Sequence, residues 1–87
     1  MSRALTRGEA RSGVERILTD LLSLDDPVDW SVIRYQATPE WDSLVHMAIV
    51  TDIESEFGVT LTADDVMGMT SLQQILELLE GRGVGSV

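Results

Sequence analysis

The sequence has no cysteine and no lysine. Without cysteine the chain can form neither a disulfide nor a thiolate metal site, so any thiol chemistry has to come from a group added to it. All six bases are arginine, and they face fifteen acids, for a formal charge of −9. Nucleic-acid binding is not expected from that balance, because it needs cations to replace the phosphate counterions. No apolar run reaches the ~18 residues that span a bilayer, and no signal peptide is expected, since no apolar h-region is apparent. No membrane insertion is expected, and the expected compartment is the cytoplasm. Eighty-seven residues make one small domain, expected as a monomer, with a core worth only a few kcal/mol of net stability.

What is present is unevenly spread. Arg3, Arg7, Arg11 and Arg16 lie in the first fifth, while Asp42 to Glu80 holds eight acids and no base. Such a surface suits basic partners and speeds their encounter, although a merely well-solvated face has the same composition.

Apolar periodicity predicts an all-α chain. Residues 1–7 show no period and are expected to be disordered. Two capping boxes compete for the first helix, Thr6-x-x-Glu9 and Ser12-x-x-Glu15, and Gly8 and Gly13 weaken a helix ahead of Val14. From there Val14, Ile17, Leu18, Leu21 and Leu22 form one stripe, and the helix should end near Ser23, before Asp25-Asp26-Pro27. The long connection that follows contains Val28, Trp30, Val32, Ile33 and Tyr35, too apolar to be solvated linker. Trp30 and Ile33 are expected to fold back on the core.

A second helix is expected over 43–57, with Gly58 just past its end. His46, Ile49, Val50, Ile53 and Phe57 share its core stripe, and Leu44, Val45, Met47, Ala48 and Thr51 make the rest of its first two turns apolar as well. Ile53 and Phe57 are therefore expected in the core, Val45 at the surface, and the excess apolar surface is expected to need a partner. Thr62 caps a short third helix that Gly68 ends. Thr70 or Ser71 caps a fourth, with Leu72, Ile75, Leu76 and Leu79 as its stripe. The reading is a small antiparallel four-helix bundle of three main helices and one short third helix, its domain at 8–80 and a flexible tail at 81–87.

Ser43 stands where the long loop meets the second helix. A serine there can cap the helix with its hydroxyl oxygen. Asp42, Ser43 and His46 also invite comparison with a hydrolytic triad, but Asp42 lies on the wrong side of the serine, and neither a nucleophile elbow nor an oxyanion loop is apparent. His46 reads instead as a semi-buried residue of the core stripe. Asp25, Asp26 and Asp29 lack the glycine and final glutamate of a calcium loop, so no metal site is expected.

The order Asp42-Ser43-Leu44, then Glu56-Phe57-Gly58-Val59, then Thr70-Ser71-Leu72 resembles the acyl and peptidyl carrier protein family. From Asp42 to Leu79 the likeness is ungapped. The resemblance implies a non-catalytic protein that other enzymes act upon. Ser43 would carry a covalent 4′-phosphopantetheine arm donated by coenzyme A, with Asp42 and Leu44 flanking it in recognition by a phosphopantetheinyl transferase. It further implies a loading enzyme for an acyl, aminoacyl or glyceryl thioester, and a downstream synthase or transferase. Ile49, Val50, Ile53, Leu61, Val66, Met69 and Leu76 resemble positions lining the bundle interior. The fatty-acid type has a glycine and a small residue where this chain has Glu40 and Trp41, and acids where it has Val45 and Ala48. The variant Trp41-Asp42-Ser43-Leu44-x-His46-Met47 looks more like free-standing carriers of specialised polyketide, nonribosomal or surface-glycan biosynthesis. Leu44, Val45, Met47, Ala48, Thr51 and Glu54 are the expected docking face. The rival readings are a fatty-acid-type carrier and an unmodified acidic helical adaptor.

Overall fold

The computed structural model describes residues 5–85, and it is helical as expected: α1 (Arg7–Leu22), α2 (Ser43–Phe57), α3 (Ala63–Gly68) and α4 (Leu72–Gly81). No strand forms among the described residues; one isolated antiparallel bridge joins Arg34 to Ser71. No helix there is long and apolar enough to cross a membrane. α1 packs on α2 and α4, and α3 packs on α4. Arg7 at the start of α1 pairs with Glu80 near the end of α4, and Arg11 shares a cleft with Gln73, so these two helices run antiparallel.

Of the expected disorder at 1–7 and flexible tail at 81–87, residues 1–4 and 86–87 lie outside the described residues, whereas Thr6 and Arg7 start α1 and residues 81–85 end α4 and turn back on the bundle. Of the two competing boxes, Thr6/Glu9 is the one formed, each side chain meeting the other residue's backbone N–H. α1 therefore starts at Arg7, two turns ahead of the Val14 stripe, and extends that stripe backwards through the buried Ala10 and Gly13. Gly13 belongs in the helix for a packing reason. A Cβ built there would lie 2.9 Å from Cζ of Phe57, so the glycine admits the ring and α1 and α2 approach closely. At the other end Arg82–Gly85 turns back on the bundle: the Val84 N–H reaches the Leu79 carbonyl at 2.8 Å, and Gly85 is buried beside Ala10.

The core comprises Val14, Ile17, Leu18 and Leu22 of α1, Ile49, Val50 and Ile53 of α2, and Leu72, Ile75 and Leu79 of α4, joined by Met69 and Trp41. Trp30, Ile33 and Tyr35 pack against it from the long loop, as expected of the first two. The loop is held by a bond to the α3–α4 connection and by bonds of its own. Tyr35 N–H reaches the Thr70 carbonyl, Thr38 Oγ1 accepts from Arg34 N–H, and Trp41 N–H reaches the Thr38 carbonyl. Ser31 donates from both backbone and hydroxyl to Asp29, which holds that carboxyl below its ordinary range.

Two expectations on α2 need correction. Val45, read as surface, is half-buried and packs on the core, because it sits one turn before Ile49 on the same flank of the helix. Phe57 is half-buried, at the rim of the core rather than in it. Ile53 is fully buried. Ile53→Ala should cost about 2–5 kcal/mol, and Leu44→Ala, at a residue 81 % exposed, less than about 0.5 kcal/mol. Denaturant midpoints of the two variants check this ranking.

Candidate functional site

Backbone chemistry fixes the entry to α2. The first N–H groups of any α-helix lack partners within it. Here Asp42 is the N-cap, extended at φ −97° and ψ −177°, and its Oδ1 accepts from the Val45 N–H at 2.9 Å. The sequence left Ser43 open as the cap. The structure places Ser43 one step inside, as the first residue of the helix and exposed to solvent. Its hydroxyl is therefore not committed to capping. The positive end of the helix dipole lies behind it, which favours a phosphate at that point.

Beneath this turn lies an arrangement that sequence reasoning missed. Trp41, treated there only as a departure from the fatty-acid pattern, is wholly buried, the largest of the fully buried side chains. Its indole Nε1–H donates to Nδ1 of His46 at 2.9 Å. The other ring nitrogen of His46, Nε2, lies 2.8 Å from the Val66 carbonyl in α3. Because an indole can only donate and a carbonyl can only accept, the two bonds select the neutral imidazole with its proton on Nε2. The Tyr35 ring stacks on the imidazole at 4.4 Å and 8°. One sequence signal could have found the pair. Trp41 and His46 occupy the N′ and N4 positions around the Asp42 cap, the places of a hydrophobic staple, which fixes how a chain enters a helix.

The triad reading fails on this geometry. His46 is 4 % exposed and both its ring nitrogens are engaged, so neither is free to take a proton from Ser43. The Asp42 carboxylate faces the Val45 N–H. Among the described residues no group of three or more His, Asp or Glu side chains is gathered where it could hold a metal ion.

The expected docking residues divide. Leu44 at 81 % and Met47 at 53 % exposure stand out from the first two turns of α2, and Thr51, whose hydroxyl donates to the Met47 carbonyl, is exposed with them. Ala48 is half-buried. Val45 turns inward. Glu54 is half-buried and its Oε2 accepts from the Leu61 N–H at 2.9 Å, so it closes the α2–α3 connection about 16 Å along the helix axis from Ser43. Met67 of α3, which the sequence reading passed over, is 76 % exposed. Of the positions expected to line the interior, Ile49, Val50, Ile53 and Met69 are buried, and Leu61, Val66 and Leu76 are half-buried.

Comparison with known families agrees with the resemblance read from the sequence. Residues 41–79 match the family model described as the phosphopantetheine attachment site, consistent with an acyl or peptidyl carrier protein family. Domains of that family hold 4′-phosphopantetheine covalently on a serine. No curated protein and no solved structure matches the chain.

Two measurements check the geometry of the turn. Asp42→Ala should cost about 0.5–2 kcal/mol as a lost cap, and Ser43→Ala should stay within about 0.5 kcal/mol of the parent. Trp41→Phe leaves the buried Nδ1 without its donor and should cost about 1–3 kcal/mol beyond the change in packing. In the parent, imidazole ¹⁵N shifts should show a single neutral tautomer protonated on Nε2.

Proposed function

We propose that this phosphopantetheine carrier bears its arm on Ser43 and presents thioester-bound cargo to partner enzymes through the outward face of α2. The observation that carries the assignment is a contrast among the three serines of the matched stretch, Ser43, Ser55 and Ser71. Ser71 is 5 % exposed and its oxygen accepts from the Gln74 N–H as the cap of α4. Ser55 lies late in α2 between Glu54 and Glu56, where the helix dipole and both carboxylates oppose an added phosphate. Ser43 is exposed at the dipole's positive end, and Asp42 already supplies the cap.

The attachment step belongs to a separate transferase. The Ser43 hydroxyl attacks the pantetheine-bearing phosphorus of the coenzyme A pyrophosphate with Mg²⁺ in the transferase site. The hydroxyl proton leaves to a base there, 3′,5′-ADP departs, and a phosphodiester remains. The thiol at the arm's far end then carries an acyl, aminoacyl or glyceryl group. On this reading the carrier domain takes in the Thr6 cap and the Arg82–Gly85 turn as well as residues 8–80, the chain is a non-catalytic cytoplasmic monomer, and its partners are the transferase, a loading enzyme and a downstream synthase or transferase. A specialised polyketide, nonribosomal or related pathway is favoured over the fatty-acid type. The support is the outward face of α2, where Leu44, Met47 and Thr51 are exposed and the first turn holds no acid. The same exposed side chains support the second reading, an unmodified adaptor.

Incubation with coenzyme A and a broad-specificity phosphopantetheinyl transferase decides between them. The parent should gain the mass of one phosphopantetheinyl group. Ser43→Ala should gain none while keeping its helical circular dichroism. Modification that persists in Ser43→Ala moves the site elsewhere, and a parent that gains no mass favours the adaptor.

Apolar anchors carry affinity, whereas exposed charges mainly set on-rate and salt dependence. Leu44→Asp and Met47→Asp should therefore slow loading of the holo protein by its own loading enzyme at least about tenfold, the factor that ~1.4 kcal/mol represents, with stability nearly unchanged. Added salt should slow it only modestly. Loading rates of both variants across salt concentrations test the docking face. Val45→Asp is not a usable variant, because it would set a charge against the core.

A further inference from the structure

α3 is six residues long and none of them is fully buried; Val66 alone packs, half-buried, against the core. A helix of that length does not hold itself in place. Its helix packing is against α4, and Arg82 past the end of α4 pairs with Asp65. Asp65 also accepts from the Thr62 backbone N–H, which, with the Thr62 side chain and Arg82, holds its carboxyl below the ordinary range despite partial burial. Toward α2, the Glu54–Leu61 bond secures only the connection before α3. The His46 Nε2–H bond to the Val66 carbonyl, at 2.8 Å, reaches the helix itself, next to the exposed Met67. His46 is the fourth residue of α2 and Ser43 the first, so this bond joins α3 to the turn that bears the serine.

We infer that His46 is a positioning residue for modification of Ser43, and that it acts by holding α3 where a partner enzyme reads α3 and Ser43 together. The inference rests on the carrier reading. With the bond intact, Ser43, Leu44 and Met67 are presented in one fixed arrangement. With it cut, α3 samples other placements, and the apparent affinity for any partner that needs the native one falls by the fraction of time spent there. The serine itself stays exposed and capped, so the chemical step is untouched and the loss falls on KM.

Side-chain geometry supplies the test. The amide of asparagine reaches about as far as Nδ1, so His46→Asn can still accept from Trp41 but cannot reach Val66. The amide of glutamine reaches about as far as Nε2, so His46→Gln restores a donor for the Val66 carbonyl. In the transferase assay with coenzyme A, H46N should raise the KM for the carrier about three- to tenfold, the factor of one net hydrogen bond, and leave kcat within about twofold. H46Q should return KM toward the parent value. Amide hydrogen exchange should quicken at Val66–Met69 in H46N, more than at Ile49–Ile53, and recover in H46Q. Trp41→Phe cuts the bond on the other ring nitrogen and leaves the Val66 bond in place, so it should lower stability while raising KM less than H46N does.

A folded H46N with the parent's KM overturns the inference, as does an H46Q as impaired as H46N. A Trp41→Phe variant whose KM rises as far as that of H46N assigns the effect to general loosening and overturns it too. If the parent itself gains no arm, the carrier reading fails. The exchange measurement stands apart from that outcome, and equal exchange of α3 in H46N and the parent overturns the inference on its own.

Discussion

The burial of one indole N–H organises this molecule. Trp41 lies wholly inside a small bundle, and a buried donor without an acceptor would cost about 1–3 kcal/mol, a large part of the ~5–10 kcal/mol such a domain has in total. His46 supplies the acceptor. That choice leaves the imidazole proton on Nε2, which then needs an acceptor of its own and finds it in the Val66 carbonyl. Loop, second helix and third helix are thus joined by a chain of donor and acceptor requirements in which each member fixes the next. Tyr35, stacked on the imidazole, adds the long loop to the same cluster. In so short a chain the loop cannot be spare length, because its aromatic residues complete a core that the helices alone would leave open.

Much of this was legible in the sequence, and the parts that were not have a common cause. Helix existence, the cap of α3, the glycine after α2 and the inward turn of Trp30 and Ile33 follow from local rules: apolar period, side-chain caps and positive-φ glycine. α1 was read too short because two glycines lower local propensity, while the compensation at Gly13 is a ring forty-four positions away. Val45 was misjudged because a nearly all-apolar first two turns of α2 give no contrast from which to orient the helix. The attachment candidate was legible from its motif; the residue that caps its helix was not, since Asp42 and Ser43 are both good caps by type. Only the backbone geometry decides between them.

The Trp41–His46 bond shows a different limit. Composition marks the single histidine as unusual and suggests chemistry, and the Asp42, Ser43 and His46 spacing brings the three into one turn. Satisfied hydrogen bonds tell against His46 as a general base, because a base needs a free lone pair and His46 has none to offer. A buried, fully bonded histidine is a structural part, and its value lies in donating on one side while accepting on the other. Among uncharged side chains whose two polar atoms face opposite ways, few others can join an indole donor to a carbonyl acceptor across this distance.

The division of labour at the head of α2 bears on how a carrier serine can be modified without penalty. If Ser43 were the cap, esterifying its oxygen would burden the atom that satisfies the helix's first turn, and each transfer would weaken the helix presenting it. With Asp42 as the cap and Ser43 one residue inside, the oxygen proposed to react and the oxygen that caps belong to different side chains. A phosphodiester on Ser43 then adds a negative charge at the positive end of the dipole while the existing cap is kept, so the modified form is expected to be no less stable than the unmodified one. Below it, Trp41 and His46 hold the turn rigid, and outside it Leu44 and Met47 remain uncovered. Fixed support under an uncommitted hydroxyl, beside an apolar surface that none of the described residues covers, suits the proposed role, in which the chemistry is performed by others.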